Sequence, residues 1–234
     1  MIRFASGVTM TCAATDLAVG LVLIPFTVLL SRMHVRDETE KQLWVKLMKM
    51  LSAVCITGFI VHGIIWSNTA YNVIWVGLYA IMIMAVRRFF FVAAYKMFGE
   101  NGLSDKLRYA IDAVSIGMYI VLSVLKLMSI NPIRLFTVYG ILLIIPGFIL
   151  FGILGRREGD SASKLIFTAL IPQLIGAGYI LCRIPEFKFI VPMDHNCIYH
   201  LCLFVSVIIF YYAAKRSLLQ ERINEEEQEQ ETFV

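Results

Sequence analysis

Residues 133–155 read IRLFTVYGILLIIPGFILFGILG, and this stretch decides the fold class of the chain. After Arg134, no charged residue follows until Arg156. A helix needs about 20 mainly apolar residues to cross the hydrocarbon core of a bilayer. The stretch meets this requirement, and it therefore predicts a transmembrane helix.

Six other stretches have the same character. With the first, the predicted spans run near residues 8–31, 46–66, 70–95, 108–128, 133–155, 163–182 and 194–214. We therefore expect an all-α membrane protein whose single domain, residues 1–214, is a seven-helix bundle. Residues 215–234 are rich in Glu, and we expect them to form a flexible cytoplasmic tail.

The composition excludes a soluble globular protein. Of the 234 residues, 59% are hydrophobic and only 16% are charged, against about 25% charged in ordinary soluble domains. The net charge of +4 comes from scattered basic residues, so we expect membrane lipid as a partner and no nucleic acid. The five cysteines form no CxxC pair, which argues against a disulfide framework or a zinc ribbon.

The loops differ in positive charge, and this difference predicts the orientation. One set of loops and termini carries five Lys and Arg residues, and the opposite set carries 16. The more positive side of a membrane protein faces the cytoplasm, so the amino terminus is predicted outside and the carboxyl terminus inside. The first stretch lacks an Ala-x-Ala-like site and is expected to be a retained helix. We expect a multi-pass protein of the plasma membrane if the source is bacterial.

Two arginines, Arg87 and Arg88, interrupt the third stretch. The simplest interpretation is one long helix whose arginines lie at the inner interface or reach towards it. Binding of an anionic lipid headgroup is the alternative. Asp112, near the inner end of the fourth helix, is also expected to be interfacial.

Ionisable residues inside spans are costly and suggest function. The predicted orientation places His62, at the end of the second helix, in the outer leaflet. It places His195 and His200, at the start of the seventh, at the same depth, and Asp16 of the first helix within the outer half. Three imidazoles and one carboxylate at one level suit a zinc ion with an open coordination position.

Simpler interpretations compete with a zinc site. Histidines near helix ends are tolerated at the membrane interface without a ligand. Asp16 can bond the neighbouring Thr15 or pair with a histidine for packing. Asp16 and Asp194 are the two candidates for a catalytic base, and Asp194 can instead cap the seventh helix.

The pattern of His62-Gly63 in the second helix and Asp194-His195-Asn196-x-x-Tyr199-His200 in the seventh resembles a superfamily of membrane hydrolases. That superfamily includes alkaline ceramidases and the progestin and adiponectin receptors. The aromatic Tyr199 before His200 is similar to the His-x-x-Trp-His segment of the ceramidases. With Thr15-Asp16, the pattern is more similar still to an uncharacterised bacterial group distantly related to them. The resemblance implies a zinc ion held by three histidines and hydrolysis of an amide bond in a lipid.

The chain departs from that superfamily at three places. The superfamily spaces its seventh-helix histidines four residues apart, about 40° around a helix, whereas His195 and His200 are five apart, about 140°. Asn196 occupies the four-residue position, which makes it an additional candidate site residue. Gly58 stands where the superfamily has Ser, with Thr57 as the nearest hydroxyl. The Asp expected soon after the second-helix histidine is missing.

Two other classes of function remain open from the sequence. Pro172-Gln173 in the sixth stretch is similar to the dipeptide of small seven-helix sugar and amino-acid carriers, although it occurs only once. A carrier or receptor without catalysis is therefore the alternative to a hydrolase. A structural subunit is neither supported nor excluded.

Overall fold

The computed structural model describes residues 3–99, 103–182, 185, 187–188 and 190–232. Within them the chain is almost entirely helical, as predicted. The helices are α1 (Gly7–Ser31), α2 (Glu38–Gly63), α3 (Asn68–Phe98), α4 (Asp105–Leu127), α5 (Ile133–Arg157), α6 (Ser161–Thr168), α7 (Leu170–Cys182) and α8 (His195–Thr232). A short antiparallel pair, β1 (Phe187–Lys188) and β2 (Pro192–Met193), precedes α8.

Six of these helices, α1 to α5 and α8, are long and apolar enough to cross a membrane. Their outward surfaces are apolar, as a lipid environment requires. Helix α4 shows this best, because a row of large apolar side chains is exposed along it: Val114, Ile116, Ile120, Val121, Val124 and Leu127. The predicted all-α, membrane-spanning character is confirmed.

The predicted sixth span is divided into two helices, α6 of eight residues and α7 of 13 residues. Pro172 explains the position of the break, since a proline lacks the N–H that would bond to the carbonyl of Thr168 and its ring clashes with that carbonyl. At the break, the Ser206 hydroxyl of α8 lies 3.2 Å from the Ala169 carbonyl and 3.0 Å from the Cys202 carbonyl of its own helix. A hydroxyl of a neighbouring helix thus approaches a backbone carbonyl where α6 ends.

Helix α3 continues without a break through Arg87 and Arg88, as predicted. Helix α8 continues to Thr232, so the backbone of the acidic segment is helical in its described part. The flexibility expected for residues 215–234 stays a prediction.

Helices α1 and α2 pack closely along small residues. The buried face of α1 repeats every three or four residues and consists of Cys12, Ala13, Asp16, Val19, Gly20, Leu23, Thr27 and Leu30. Gly20 allows the approach, because a Cβ there would lie 2.8 Å from Cγ1 of Ile56. The Ser52 hydroxyl donates to the Gly20 carbonyl at 2.8 Å. One carboxylate, Asp16, therefore lies on a helix face that is otherwise apolar or small.

The main core lies towards the other end of this bundle. It joins α1, α2, α3, α5, α6 and α8, and fully buried Trp44, Phe151 and Leu218 belong to it. Within it, the carboxylate of Glu40 accepts hydrogen bonds from Trp44 Nε1 at 3.0 Å and Ser217 Oγ at 2.6 Å. Lys96 Nζ lies 3.2 Å from the second oxygen of Glu40. This network links α2, α3 and α8.

Candidate functional site

Asp16 and His200 meet between α1 and α8. Asp16 is 5% exposed, and its Oδ1 lies 3.3 Å from Nδ1 of His200. Asp16 comes here because it occupies the buried face of α1, and His200 because it lies one to two turns into α8. The pairing of Asp16 with a histidine, one of the alternatives from the sequence, is confirmed.

The other neighbours of His200 Nδ1 define the protonation of the ring. Thr15 Oγ1 lies 3.2 Å from this nitrogen, and the Cys12 carbonyl lies 3.4 Å from it. The Thr15 hydroxyl donates its proton to the Cys12 carbonyl at 2.6 Å, so its oxygen accepts from the ring. When Asp16 is ionised, its carboxylate, the Thr15 hydroxyl oxygen and the Cys12 carbonyl are all acceptors, and a neutral His200 then carries its proton on Nδ1. Its Nε2 then keeps a lone pair for a proton or a metal ion.

Gly58 of α2 forms the opposite wall of the Asp16 carboxylate. A Cβ at position 58 would lie 2.7 Å from Asp16 Oδ2 and 3.0 Å from its Cγ. Glycine is therefore the residue that allows α2 to lie against this carboxylate. The serine that the hydrolase superfamily has at this position would not fit beside Asp16 in the observed arrangement.

Asp194 caps α8 and thereby positions His200. Its Oδ1 accepts from the backbone N–H groups of Asn196 at 2.9 Å and Cys197 at 3.0 Å, and its Oδ2 accepts from the Asn196 side-chain amide at 3.0 Å. Burial raises the pKa of Asp194, but the bonds from Cys197 and Asn196 and the nearby His195 outweigh it and lower the pKa below its ordinary value. Both oxygens of Asp194 are thus engaged in holding the start of the helix.

The remaining predicted site residues surround this pair at different distances. His62 is half-buried, and its ring meets Trp75 edge-on with centroids 6.0 Å apart. It lies within electrostatic range of both His200 and Asp194. His195 is the first residue of α8 and interacts electrostatically with Asp194. Thr57 is half-buried on α2 and forms no hydrogen bond with Asp16 or His200 in the described structure.

Tyr199 faces helix α7. A Cβ at Gly176 of α7 would lie 3.0 Å from Cδ2 of Tyr199. The rings of Tyr199 and His200 have centroids 5.8 Å apart. Tyr199 therefore connects the packing of α7 with the position of His200.

The zinc site expected from the sequence needs three ligands within reach of one ion. Over the described ranges, no group of three His, Cys, Asp or Glu side chains is arranged to hold a metal ion. The nearest approach to such a site is His200 with Asp16 behind it, an arrangement that orients metal-binding histidines in known sites. The residues in their observed positions do not form the three-histidine site, and zinc binding stays a prediction.

Sequence reasoning overlooked some residues of this site. Cys12 lies four residues before Asp16 on the same buried face of α1, and its Sγ is 3.5 Å from Nδ1 of His200. Trp75 gave no sequence signal, yet its Nε1 is buried without a hydrogen-bond partner among the described residues. The same holds for the hydroxyl of Tyr79, whose ring lies 5.3 Å from that of Trp75.

The fold and these polar groups define a multi-pass helical membrane protein with a buried carboxylate–imidazole pair. Residues 11–219 match the Family of unknown function (DUF6962), and the chain belongs to this family. Comparison with curated proteins and with solved structures gave no significant match.

Proposed function

We propose that this protein is a membrane-embedded hydrolase that cleaves an amide bond in a lipid, with His200 as the general base. The observation that carries the proposal is the contact between the buried Asp16 carboxylate and Nδ1 of His200. A carboxylate in this position fixes the ring and stabilises the imidazolium that forms during proton transfer. The resemblance of the seventh-helix segment to ceramidases supports a lipid amide as the substrate.

The topology that accompanies this proposal has seven spans, with α6 and α7 together forming the sixth. The amino terminus is outside and the carboxyl terminus lies in the cytoplasm, as the distribution of Lys and Arg indicates. In this orientation the pair is in the outer half of a plasma membrane. A lipid substrate enters from the outer leaflet.

The chemistry requires one proton to move twice. Nε2 of His200 takes a proton from water while the water oxygen attacks the amide carbonyl carbon. The His200 imidazolium then gives the proton to the leaving nitrogen as the C–N bond breaks. The products are a fatty acid and an amine, and Asp16 holds the His200 ring in position during both transfers.

Zinc would polarise the carbonyl or lower the pKa of the attacking water if it were bound. His62 is the imidazole that would contribute to holding it, since Nε2 of His200 takes the proton in the steps above. The steps above involve only side chains of this chain and water.

The test is hydrolysis of a fluorescent long-chain lipid amide by the purified protein in nanodiscs, with metal content measured on the same samples. His200→Gln and Asp16→Asn should each lower turnover, His200→Gln by about 10²- to 10⁴-fold. His34→Gln is the matched control, since His34 is exposed between α1 and α2. Absence of turnover of any lipid amide by the folded wild-type protein would contradict the proposal.

A carrier is the second candidate, and the broken sixth span favours it. Discontinuous helices form the substrate sites of many transporters, and the break here lies beside Pro172-Gln173. Uptake of sugars or amino acids into vesicles, compared between wild type and a Pro172→Ala, Gln173→Ala double variant, distinguishes the two functions. Uptake that depends on this dipeptide but not on His200 favours the carrier.

A further inference from the structure

A lysine side chain is buried where α3 begins and α4 ends. The buried residues of α4 are Ser115, Leu122 and Lys126, and Lys126 is 8% exposed. A lysine so close to the end of a membrane-spanning helix ordinarily extends towards water. Lys126 instead turns towards α3, where its Nζ lies 4.7 Å from the centroid of the Tyr71 ring and 5.3 Å from that of Trp75.

Two hydrogen-bond donors on α3 have no acceptor. The Nε1 of Trp75 and the hydroxyl of Tyr79 are buried, and neither has a hydrogen-bond partner among the described residues. The centroids of the two rings are 5.3 Å apart, and Tyr79 is fully buried. A buried donor without an acceptor costs free energy, and such groups are rare in native proteins. These two donors therefore point to a partner that the protein itself does not supply.

The aromatic rings do not satisfy Lys126 either. Their faces attract its charge, but they offer no oxygen to its three N–H donors. Among the described residues, Lys126 forms neither an ion pair nor a hydrogen bond. The connections at this end of α3 and α4, residues 64–67 and 128–132, are described throughout. Three kinds of donor, an ammonium, an indole N–H and a phenol hydroxyl, thus surround the Trp75 ring.

The surroundings of these donors suit a lipid. Lys126 is the second-last residue of α4 and Tyr71 the fourth of α3, so both lie near the end of a membrane-spanning helix. Below them, Leu122 and Tyr79 belong to a buried cluster that is mostly apolar and aromatic. Tyr71 and Trp75 are only half-buried, which leaves the edge of the cleft between α3 and α4 open to the outside of the bundle.

We propose that this cleft binds the carboxylate of a long-chain lipid. One ammonium group matches one negative charge, and the Trp75 N–H and Tyr79 hydroxyl supply further hydrogen bonds to its oxygens. His62 meets Trp75 edge-on, so the cleft adjoins the residues around His200. The carboxylate belongs either to a free fatty acid or to an acylated amino acid. The second alternative names a class of lipid amide and rests on the proposed function.

The first arm of the test measures binding without turnover. Native mass spectrometry of the full-length protein in detergent compares the retention of oleate with that of oleyl alcohol, which has the same chain and no charge. Wild type should retain oleate in preference, and Lys126→Gln should weaken oleate retention by about tenfold or more. Lys106→Gln, in the exposed first turn of α4, is the matched control and should change it by less than about twofold. Equal retention of the two compounds by wild type would contradict the proposal.

The second arm compares two buried tyrosines. The Tyr139 hydroxyl lies 2.8 Å from Ser115 Oγ, whereas the Tyr79 hydroxyl has no partner among the described residues. Without ligand, Tyr139→Phe should therefore lower the unfolding temperature, and Tyr79→Phe should leave it unchanged or raise it. Oleate retention should fall several-fold only in Tyr79→Phe. A Tyr79→Phe protein that is less stable but retains oleate like wild type would overturn the proposal.

The third arm identifies the source of the carboxylate. Retention of N-oleoyl glycine is compared with that of the neutral N-oleoyl ethanolamine in a His200→Gln background, where no turnover should consume either compound. A preference for N-oleoyl glycine that Lys126→Gln abolishes indicates an acylated amino acid, and retention of oleate alone indicates a free fatty acid. Absence of lipid-amide turnover in wild type contradicts the hydrolase and leaves this cleft intact. If retention of neither carboxylate depends on Lys126, the cleft proposal is wrong.

Discussion

Gly58 lies against the carboxylate of Asp16, so closely that a Cβ at position 58 would be 2.7 Å from Oδ2. We therefore expect Gly58→Ala to destabilise the protein by about 1–3 kcal/mol. Thermal unfolding of the purified variant in detergent measures this change. Gly77→Ala and Gly117→Ala are controls, since a Cβ there meets nothing within 4 Å, and they should be neutral or slightly stabilising.

A double-mutant cycle tests whether the clash of the new Cβ with Asp16 causes the destabilisation by Gly58→Ala. Asp16→Ala removes the carboxylate that the new methyl group would meet. Gly58→Ala should therefore cost much less in an Asp16→Ala background than in wild type. Equal costs in the two backgrounds would show that Gly58 and Asp16 do not interact as the structure indicates.

The cap of α8 should make stability depend on pH. The pKa of Asp194 is lower in the folded protein than its ordinary value of about 3.9. Its stabilising contribution is therefore fully present above pH 4 and is lost as the pH falls through the folded pKa. Unfolding temperatures of wild type and Asp194→Ala should differ most at pH 6, and the difference should shrink as the pH falls below 4. A difference that is constant with pH would argue against an ionised cap.

Glu40 should be among the residues most sensitive to substitution. Its buried carboxylate accepts from Trp44 and Ser217 and faces Lys96, so Glu40→Ala leaves these three groups without their acceptor. We expect a loss of about 3–5 kcal/mol in the free energy of unfolding. Glu158→Ala is the control, since Glu158 is exposed at the carboxyl end of α5 and its loss should change stability by less than about 0.5 kcal/mol. A small change in the free energy of unfolding of Glu40→Ala would show that these contacts of Glu40 do not stabilise the protein.

The pair of glycines on α7 offers a test of how α7 positions His200. A Cβ at Gly176 would lie 3.0 Å from Tyr199 Cδ2 and 3.1 Å from Cys202 Cβ, whereas a Cβ at Gly178 meets nothing within 4 Å. Gly176→Ala should displace Tyr199 and lower lipid-amide turnover several-fold. Gly178→Ala should leave turnover unchanged. Equal turnover in the two variants would show that the packing of α7 against Tyr199 does not affect the site.

The membrane-spanning helices could be predicted because their signal is local. An apolar stretch of sufficient length must become a helix in lipid, since only internal hydrogen bonds can satisfy its backbone. This reasoning applies to residues 133–155 as it does to the other long spans. The length of an apolar stretch did not predict the break after Thr168, even though the sequence contains Pro172. A proline can either kink a helix or divide it, and the residues that pack around it decide which occurs. Here the Ser206 hydroxyl from α8 lies 3.2 Å from the Ala169 carbonyl at the break.

The candidate site was predictable only in part. Sequence alone indicated that Asp16, His62, His195 and His200 share one depth, because depth follows from position along a helix and from the charge of the loops. It did not determine which of them meet. The rotation of each helix decides this, and it is set by packing at Gly20, Gly58 and Gly176 against other helices. Those contacts bring His200 to Asp16 and place His62 beside Trp75.

The sequence by itself thus determined that the chain is helical and that several of its helices are long and apolar enough to cross a membrane. Hydrophobicity and charge act on each segment separately, and they need no knowledge of neighbouring helices. Only the tertiary structure decided that Asp16 pairs with His200 and that Lys126 of α4 lies over the rings of Tyr71 and Trp75 of α3. Each of these relationships joins residues from different elements. The shapes of the side chains where two helices touch decide which polar residues meet, and no single segment contains that information.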